Sequence, residues 1–139
     1  MTANVVVWWL AALLGLAASV EDLRTRRIPN WVTVGGSVSG IICAASTGWR
    51  GLAMALAGAA VGFVLLLPLH RIGAMGGGDV KLMAAFGTLL GPVGILSAAV
   101  FGAIAGAIWA LCALLRGIRA IPYAPAIVAG VWVSLVGGG

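Results

Sequence analysis

From Val5 to Val20 the chain runs without a single charge, then meets Glu21, Asp22, Arg24, Arg26 and Arg27 within a few positions. The same alternation of a long apolar run and a short polar or Gly/Pro break recurs to the C-terminus, and it leaves few folds open. In lipid every backbone N–H and C=O must be satisfied internally, and apolar runs of ~17–25 residues achieve this as helices. With 63% hydrophobic and 8% charged residues, against about 25% charged in an ordinary soluble domain, the chain reads as all-α. The expected architecture is one domain over residues 1–139, a polytopic membrane bundle of about six transmembrane helices.

Six candidate spans follow, at about 3 to 21, 30 to 47, 51 to 70, 79 to 91, 92 to 115 and 121 to 137. The fourth is short and joins the fifth through Gly91 and Pro92, so one long kinked helix is the competing reading there. Charge helps decide. With six crossings Arg24, Arg26, Arg27, Arg71, Arg116 and Arg119 share one side, Lys81 lies close to it, and only Arg50 falls opposite, as the positive-inside rule requires. The net charge of +5 therefore reads as a topology signal, and no nucleic-acid partner is expected. Both termini fall outside the cytoplasm, with membrane lipid as the main surroundings.

The first run has no basic residue before it and ends in Glu21 and Asp22 where a cleavage site would need small residues, so it reads as a retained helix. Cys43 and Cys112 sit inside apolar runs without metal-site spacing and read as small buried residues. Trp8, Trp9, Trp31 and Trp49 fit interfacial anchors. Gly36/Gly40, Gly58/Gly62, Gly87/Gly91 and Gly102/Gly106 recur at the spacing that lets helix backbones approach closely.

The chemistry has to come from very few groups, because the chain holds only three acids. One stretch, Gly76-Gly77-Gly78-Asp79-Val80-Lys81-Leu82, puts an acid behind a glycine run at a helix start. There the glycines would let a substrate backbone or a partner helix come close to the carboxylate, and a plain helix cap is the simpler reading. The other, Glu21-Asp22-Leu23-Arg24-Thr25-Arg26-Arg27-Ile28-Pro29-Asn30, ends one helix and opens the next through Pro29; an interfacial loop with acids balancing arginines is its simpler reading. Six crossings bring Asp22 and Asp79 to one edge. Two carboxyls at one depth are what aspartyl proteolysis needs, one ionised to activate water and one protonated to polarise the scissile carbonyl. Helix dipoles place the negative charge on Asp79, while the arginines near Asp22 pull the other way. Glu21 points about 100° away from Asp22, and His70, alone at an interface, has no partners for a metal site.

These two segments resemble those of the type IV prepilin peptidases, which carry an Asp followed by a basic, Ile-Pro-Asn-like segment and then a GxGD motif. Here these are Asp22 with Arg24, Arg27, Ile28, Pro29 and Asn30, and Gly76-Gly77-Gly78-Asp79. Ile121, Pro122, Tyr123, Ala124 and Pro125 are similar to the segment that opens that family's last helix.

The resemblance implies an intramembrane aspartyl endopeptidase with Asp22 and Asp79 as its catalytic pair, needing no metal or cofactor. Gly76, Gly77, Gly78, Lys81, Pro29 and Asn30 would shape the site. Its substrate would be a prepilin or pseudopilin helix, cut to release a basic leader at the cytoplasmic face of the inner membrane, beside a glycine ahead of the apolar helix. Larger members carry an N-terminal domain with paired cysteines. Its absence from this sequence suggests the short Tad/Flp-type enzymes and argues against N-methyltransferase activity. The presenilin-like proteases share GxGD but place a tyrosine before the first aspartate, where Glu21 stands here. Preflagellin peptidases share the pair and are not separated by the sequence. From another class, a small transport subunit would use Asp22 and Asp79 as a cation site.

Overall fold

The computed structural model describes residues 2–118 and 122–137, with side chains from Val5 onward. Arg119, expected among the topology charges, and Ile121, expected to open the last span, lie outside the described residues. The described residues form five helices: α1 (Thr2–Thr25), α2 (Asn30–Ala45), α3 (Trp49–Arg71), α4 (Gly77–Leu115) and α5 (Ala124–Gly137). Val5–Thr25, Trp49–Arg71 and Gly77–Leu115 are long and apolar enough to cross a membrane, while α2 and α5 are shorter apolar helices. Much of the outer face is apolar, Trp49 being 79% and Leu115 81% exposed, as suits a bundle solvated by lipid.

α4 is not a single rod. At Gly91 the backbone takes φ 70° and ψ −179°, a region open essentially only to glycine, and Pro92 cannot donate the next helical hydrogen bond. Residues 77–90 run antiparallel to α3, with Gly58 against Gly87 and Gly62 against Met83. Residues 92–115 return toward the end of α3, where Leu66 and Leu69 share a cavity with Gly106 and Ala110. The expected fourth and fifth spans are thus two antiparallel halves of α4, giving six helical segments and excluding one merely kinked helix. Replacing Gly91 with alanine is expected to lower unfolding free energy by about 1–3 kcal/mol, read as a lower melting temperature in detergent.

The segments alternate in direction, so one end of the bundle gathers Arg24, Arg27, Arg71 and Arg116, and Arg50 lies at the other. α5 packs antiparallel to both α1 and the second half of α4. Gly15 meets Val128 on one side, and on the other Gly130 meets Ala98 and Gly102, with Ser134 Oγ donating to Gly94 O at 2.9 Å. Phe86, Leu82, Met83, Ile95 and Val131 are fully buried between them. Glycine pairs serve as contacts throughout: a Cβ would meet Leu14 at Gly36, Thr88 at Gly40 and Ala126 at Gly106.

Several expected details shift. α1 continues one turn past residue 21, so Asp22 lies inside the helix; Arg26 (φ 53°) then turns the chain in a left-handed cap, its N–H bonding to Asp22 O at 2.9 Å. α4 starts at Gly77 and α5 at Ala124, two or three residues from the expected bounds. Cys43 is half-buried and Cys112 exposed, because an apolar run turns one face to lipid rather than to other helices. Trp9, Trp31 and Trp49 are exposed as anchors would be, whereas Trp8 packs on Trp132 with ring centroids 5.5 Å apart.

Candidate active site

Asp22 sits on the last full turn of α1, and Asp79 is the third residue of α4, whose N-cap is Gly76. The two are far apart in sequence yet lie at the same basic end of the bundle. They are close enough to interact electrostatically. Both are buried, 6% and 8% exposed, in a chain where an acid inside the membrane region needs a reason to be retained.

Each carboxyl is held differently. Asp22 Oδ2 accepts the Ala124 N–H at 3.0 Å, so the first turn of α5 points a free backbone donor at it. A helix N-terminus therefore faces each aspartate, α5 at Asp22 and α4 at Asp79, and helix ends do not separate the two. Asp79 reaches back over its own N-cap: its N–H bonds Gly76 O at 3.2 Å, and a Cβ on Gly76 would stand 3.3 Å from Oδ2. No side chain caps this helix start, whose N-cap is Gly76. The simpler reading of Asp79 as a helix cap is thus not met: it lies inside the first turn, beside Asp22.

The glycine run makes room, though for other parts of the same chain. A Cβ on Gly77 would lie 3.2 Å from His70 Cε1, and one on Gly78 3.1 Å from Ile28 Cβ. The first turn of α4 can thus seat between the end of α3 and the connection from α1 to α2. Pro29, the N-cap of α2, has φ −67° and ψ 146°, and Asn30 behind it accepts a hydrogen bond from Lys81 Nζ at 2.9 Å. Lys81, which the resemblance places among the site-shaping residues, joins the two motif segments. His70 Nδ1 lies 3.0 Å from Met75 O, which places the imidazole on the loop before the glycines. Glu21 is half-buried, one position round the helix from Asp22. Among the described residues no three His, Cys, Asp or Glu gather as a metal site would need.

What sequence reasoning missed is the α5 contribution. The Pro122-Tyr123-Ala124-Pro125 segment was legible as a helix opening, but the group it offers is a backbone N–H, and no side chain announces it. An apolar cavity of about 280 Å³ opens beside this end, lined by Leu66, Met75, Met83, Gly106 and Tyr123 among others. Met75 precedes Gly76, Met83 follows Asp79 by one turn, and Tyr123 precedes Ala124. The arrangement is thus a pair of buried carboxyls, one with a backbone donor, next to an apolar recess.

Compared with known proteins, residues 8–111 match the family described as the type IV leader peptidase family. The chain is 33% identical over 135 residues to the "Type 4 prepilin-like proteins leader peptide-processing enzyme" of Escherichia coli O78:H11, covering 88% of this chain and 50% of that protein. It is 42% identical over 81 residues to the "Prepilin leader peptidase/N-methyltransferase" of Bacillus subtilis, covering 54% of this chain and 33% of that protein. The protein of the same name from Xanthomonas campestris is 32% identical over 129 residues, 85% of this chain and 45% of its own length. The chain thus spans at most half the length of these curated relatives. No solved structure matches it.

Proposed function

We propose, from the fact that this chain belongs to the type IV leader peptidase family, that it is an intramembrane aspartyl endopeptidase. It removes the basic leader from Flp-type prepilins or pseudopilins at the cytoplasmic face of the inner membrane, with Asp22 and Asp79 as the catalytic pair. The observation that carries this reading is the meeting of two buried carboxyls from distant segments at the basic end of the bundle. The excess of arginines at that end supports the cytoplasmic assignment, and the apolar recess beside the pair suits a substrate whose cut lies next to an apolar helix.

In the proposed reaction one aspartate, as carboxylate, takes a proton from water as the oxygen attacks the scissile carbonyl. The other, protonated, donates to the carbonyl oxygen. Collapse of the tetrahedral adduct breaks the C–N bond, and the proton taken from water passes to the departing amine. Ala124 serves this chemistry by fixing Asp22 through its N–H. As the first residue of α5 it stands where a helix tolerates proline, so Ala124→Pro removes the donor and also puts the ring Cδ into the space toward Asp22 Oδ2. With that bond lost and the carboxyl displaced, cleavage by Ala124→Pro is expected to fall at least about tenfold. A wild-type rate in that variant would free the α5 amide from any part in the chemistry.

The reading is tested by reconstituting the chain in vesicles with a Flp-type prepilin and identifying the products by mass spectrometry. One cut between leader and apolar helix is expected. An intact prepilin, together with cation uptake that depends on Asp22 and Asp79, would replace the peptidase by an ion-binding subunit.

A further inference from the structure

The two helices that carry the aspartates share core side chains, Leu14 and Ala18 of α1 with Leu82 and Phe86 of α4, but their backbones come close at few points. Of all packed helix pairs in the bundle, the backbones of α1 and α4 approach each other least. The separation of Asp22 from Asp79 is therefore set in part by other elements, of which two are visible. One is α5, whose Ala124 N–H holds Asp22 from the side. The other is the short connection from α1 to α2, which returns from Asp22 and lies across the first turn of α4.

That connection is stiff. Arg26, the one non-glycine residue with positive φ among those described, closes α1 through its bond to Asp22 O. Ile28 is buried against Gly78, and Pro29 has a restricted φ. Its far end is tied by Lys81 Nζ on Asn30 Oδ1 at 2.9 Å, the one hydrogen bond between two side chains among the described residues. Lys81 is two positions beyond Asp79, about 200° round the helix, so it reaches outward to Asn30 while Asp79 faces inward. At an end crowded with arginines, this lysine uses its ammonium inside the chain.

We propose that Lys81 is a positioning residue: by holding Asn30 it pins the Asp22–Asn30 connection onto α4 and so sets the approach of Asp22 to Asp79. The catalytic part of this rests on the peptidase reading above; the brace itself is a matter of geometry. Lys81 touches neither carboxyl and takes no proton in the reaction. Its loss leaves the substrate equally well bound and the pair misplaced.

The test uses the full chain in vesicles with a Flp-type prepilin, at matched expression. Lys81→Met is expected to lower kcat about tenfold, the equivalent of about 1.4 kcal/mol, with KM unchanged. Asn30→Leu should match it, the double variant should be no worse than either single change, and Lys81→Arg should keep most of the rate. A rise in KM alone, or losses that multiply in the double variant, would overturn the proposal in favour of a substrate or lipid-headgroup contact.

A second measurement does not depend on cleavage. Spin labels at Arg24→Cys on α1 and Arg71→Cys on α3, in a background with Cys43→Ala and Cys112→Ser, report the placement of α1 against the α3–α4 pair. Their distance distribution should broaden or shift in Lys81→Met and recover in Lys81→Arg. An unchanged distribution would overturn the brace even if cleavage fell. Cleavage surviving in Asp22→Asn would instead end the catalytic reading, and the label distances would still decide the brace.

Discussion

Asp22→Asn and Asp79→Asn, each made alone, should abolish leader removal while leaving the protein folded in the membrane. Asparagine keeps the volume of aspartate, and at position 22 its carbonyl oxygen can still accept the Ala124 N–H, so the packing around it is undisturbed. What it cannot do is carry a negative charge or give up a proton. General acid and base contributions are each worth about 10²–10⁴-fold, so either variant should fall by at least about a hundredfold. Because the two carboxyls act in one step, the double variant should be scarcely worse than the singles. Glu21→Gln provides the comparison, since Glu21 faces away from the pair and its loss should change the rate little. The measurement is prepilin mobility on a gel over time, confirmed by mass. Full processing by Asp79→Asn would remove the pair from the mechanism.

The fold was legible in the sequence to the extent that lipid imposes it. Apolar runs have one way to satisfy their backbone, and arginine placement orders them, so the six segments and the meeting of Asp22 with Asp79 at one end both follow from pattern alone. The break between the fourth and fifth segments was open on the sequence, because Gly91 and Pro92 permit a kink or a reversal. What decides it is packing: residues 77–90 lie along α3, and residues 92–115 turn back onto α5. Helix ends were less legible, since apolarity does not mark where hydrogen bonding stops. Thus α1 carries Asp22 within its last turn and continues through Arg24.

At the site, residue types announced Asp22, Asp79 and the glycines, because each is costly or unusual in its place. The Lys81–Asn30 bond and the Ala124 donor were hidden for a different reason. Both depend on which segments meet across long stretches of chain, and neither lysine, asparagine nor a backbone N–H is unusual at a helix end. The glycines leave room on the sequence for either a substrate backbone or a partner helix. In the structure His70 and Ile28 fill the space beside Gly77 and Gly78, so these glycines first of all let the protein close on itself.

The largest effect on stability is expected at the crossing of α3 and α4. Gly58 and Gly87 face each other there: a Cβ on either would fall on the backbone of the opposite helix, and one on Gly58 would also meet Gly91. Lipid tails are as apolar as leucine, so this pair of helices is held by close packing rather than by exclusion of water. Overpacking a core usually costs about 1–3 kcal/mol, but here the obstacle is main chain, which cannot change rotamer. Gly87→Leu is therefore expected to cost at least about 3 kcal/mol and to leave little folded protein after extraction in detergent. Gly35→Leu is the matched control: it lies exposed on α2, nothing stands within 4 Å of its Cβ position, and the change should stay within about 0.5 kcal/mol. Gly87→Ala should fall between them, and it links stability to the site. Asp79 lies about two turns before Gly87 on the same helix, so parting α4 from α3 also moves the carboxyl from its partner. That variant should lose cleavage more than it loses folded protein. Equal melting temperatures for Gly87→Leu and Gly35→Leu would show that the glycine crossing does not hold the bundle together.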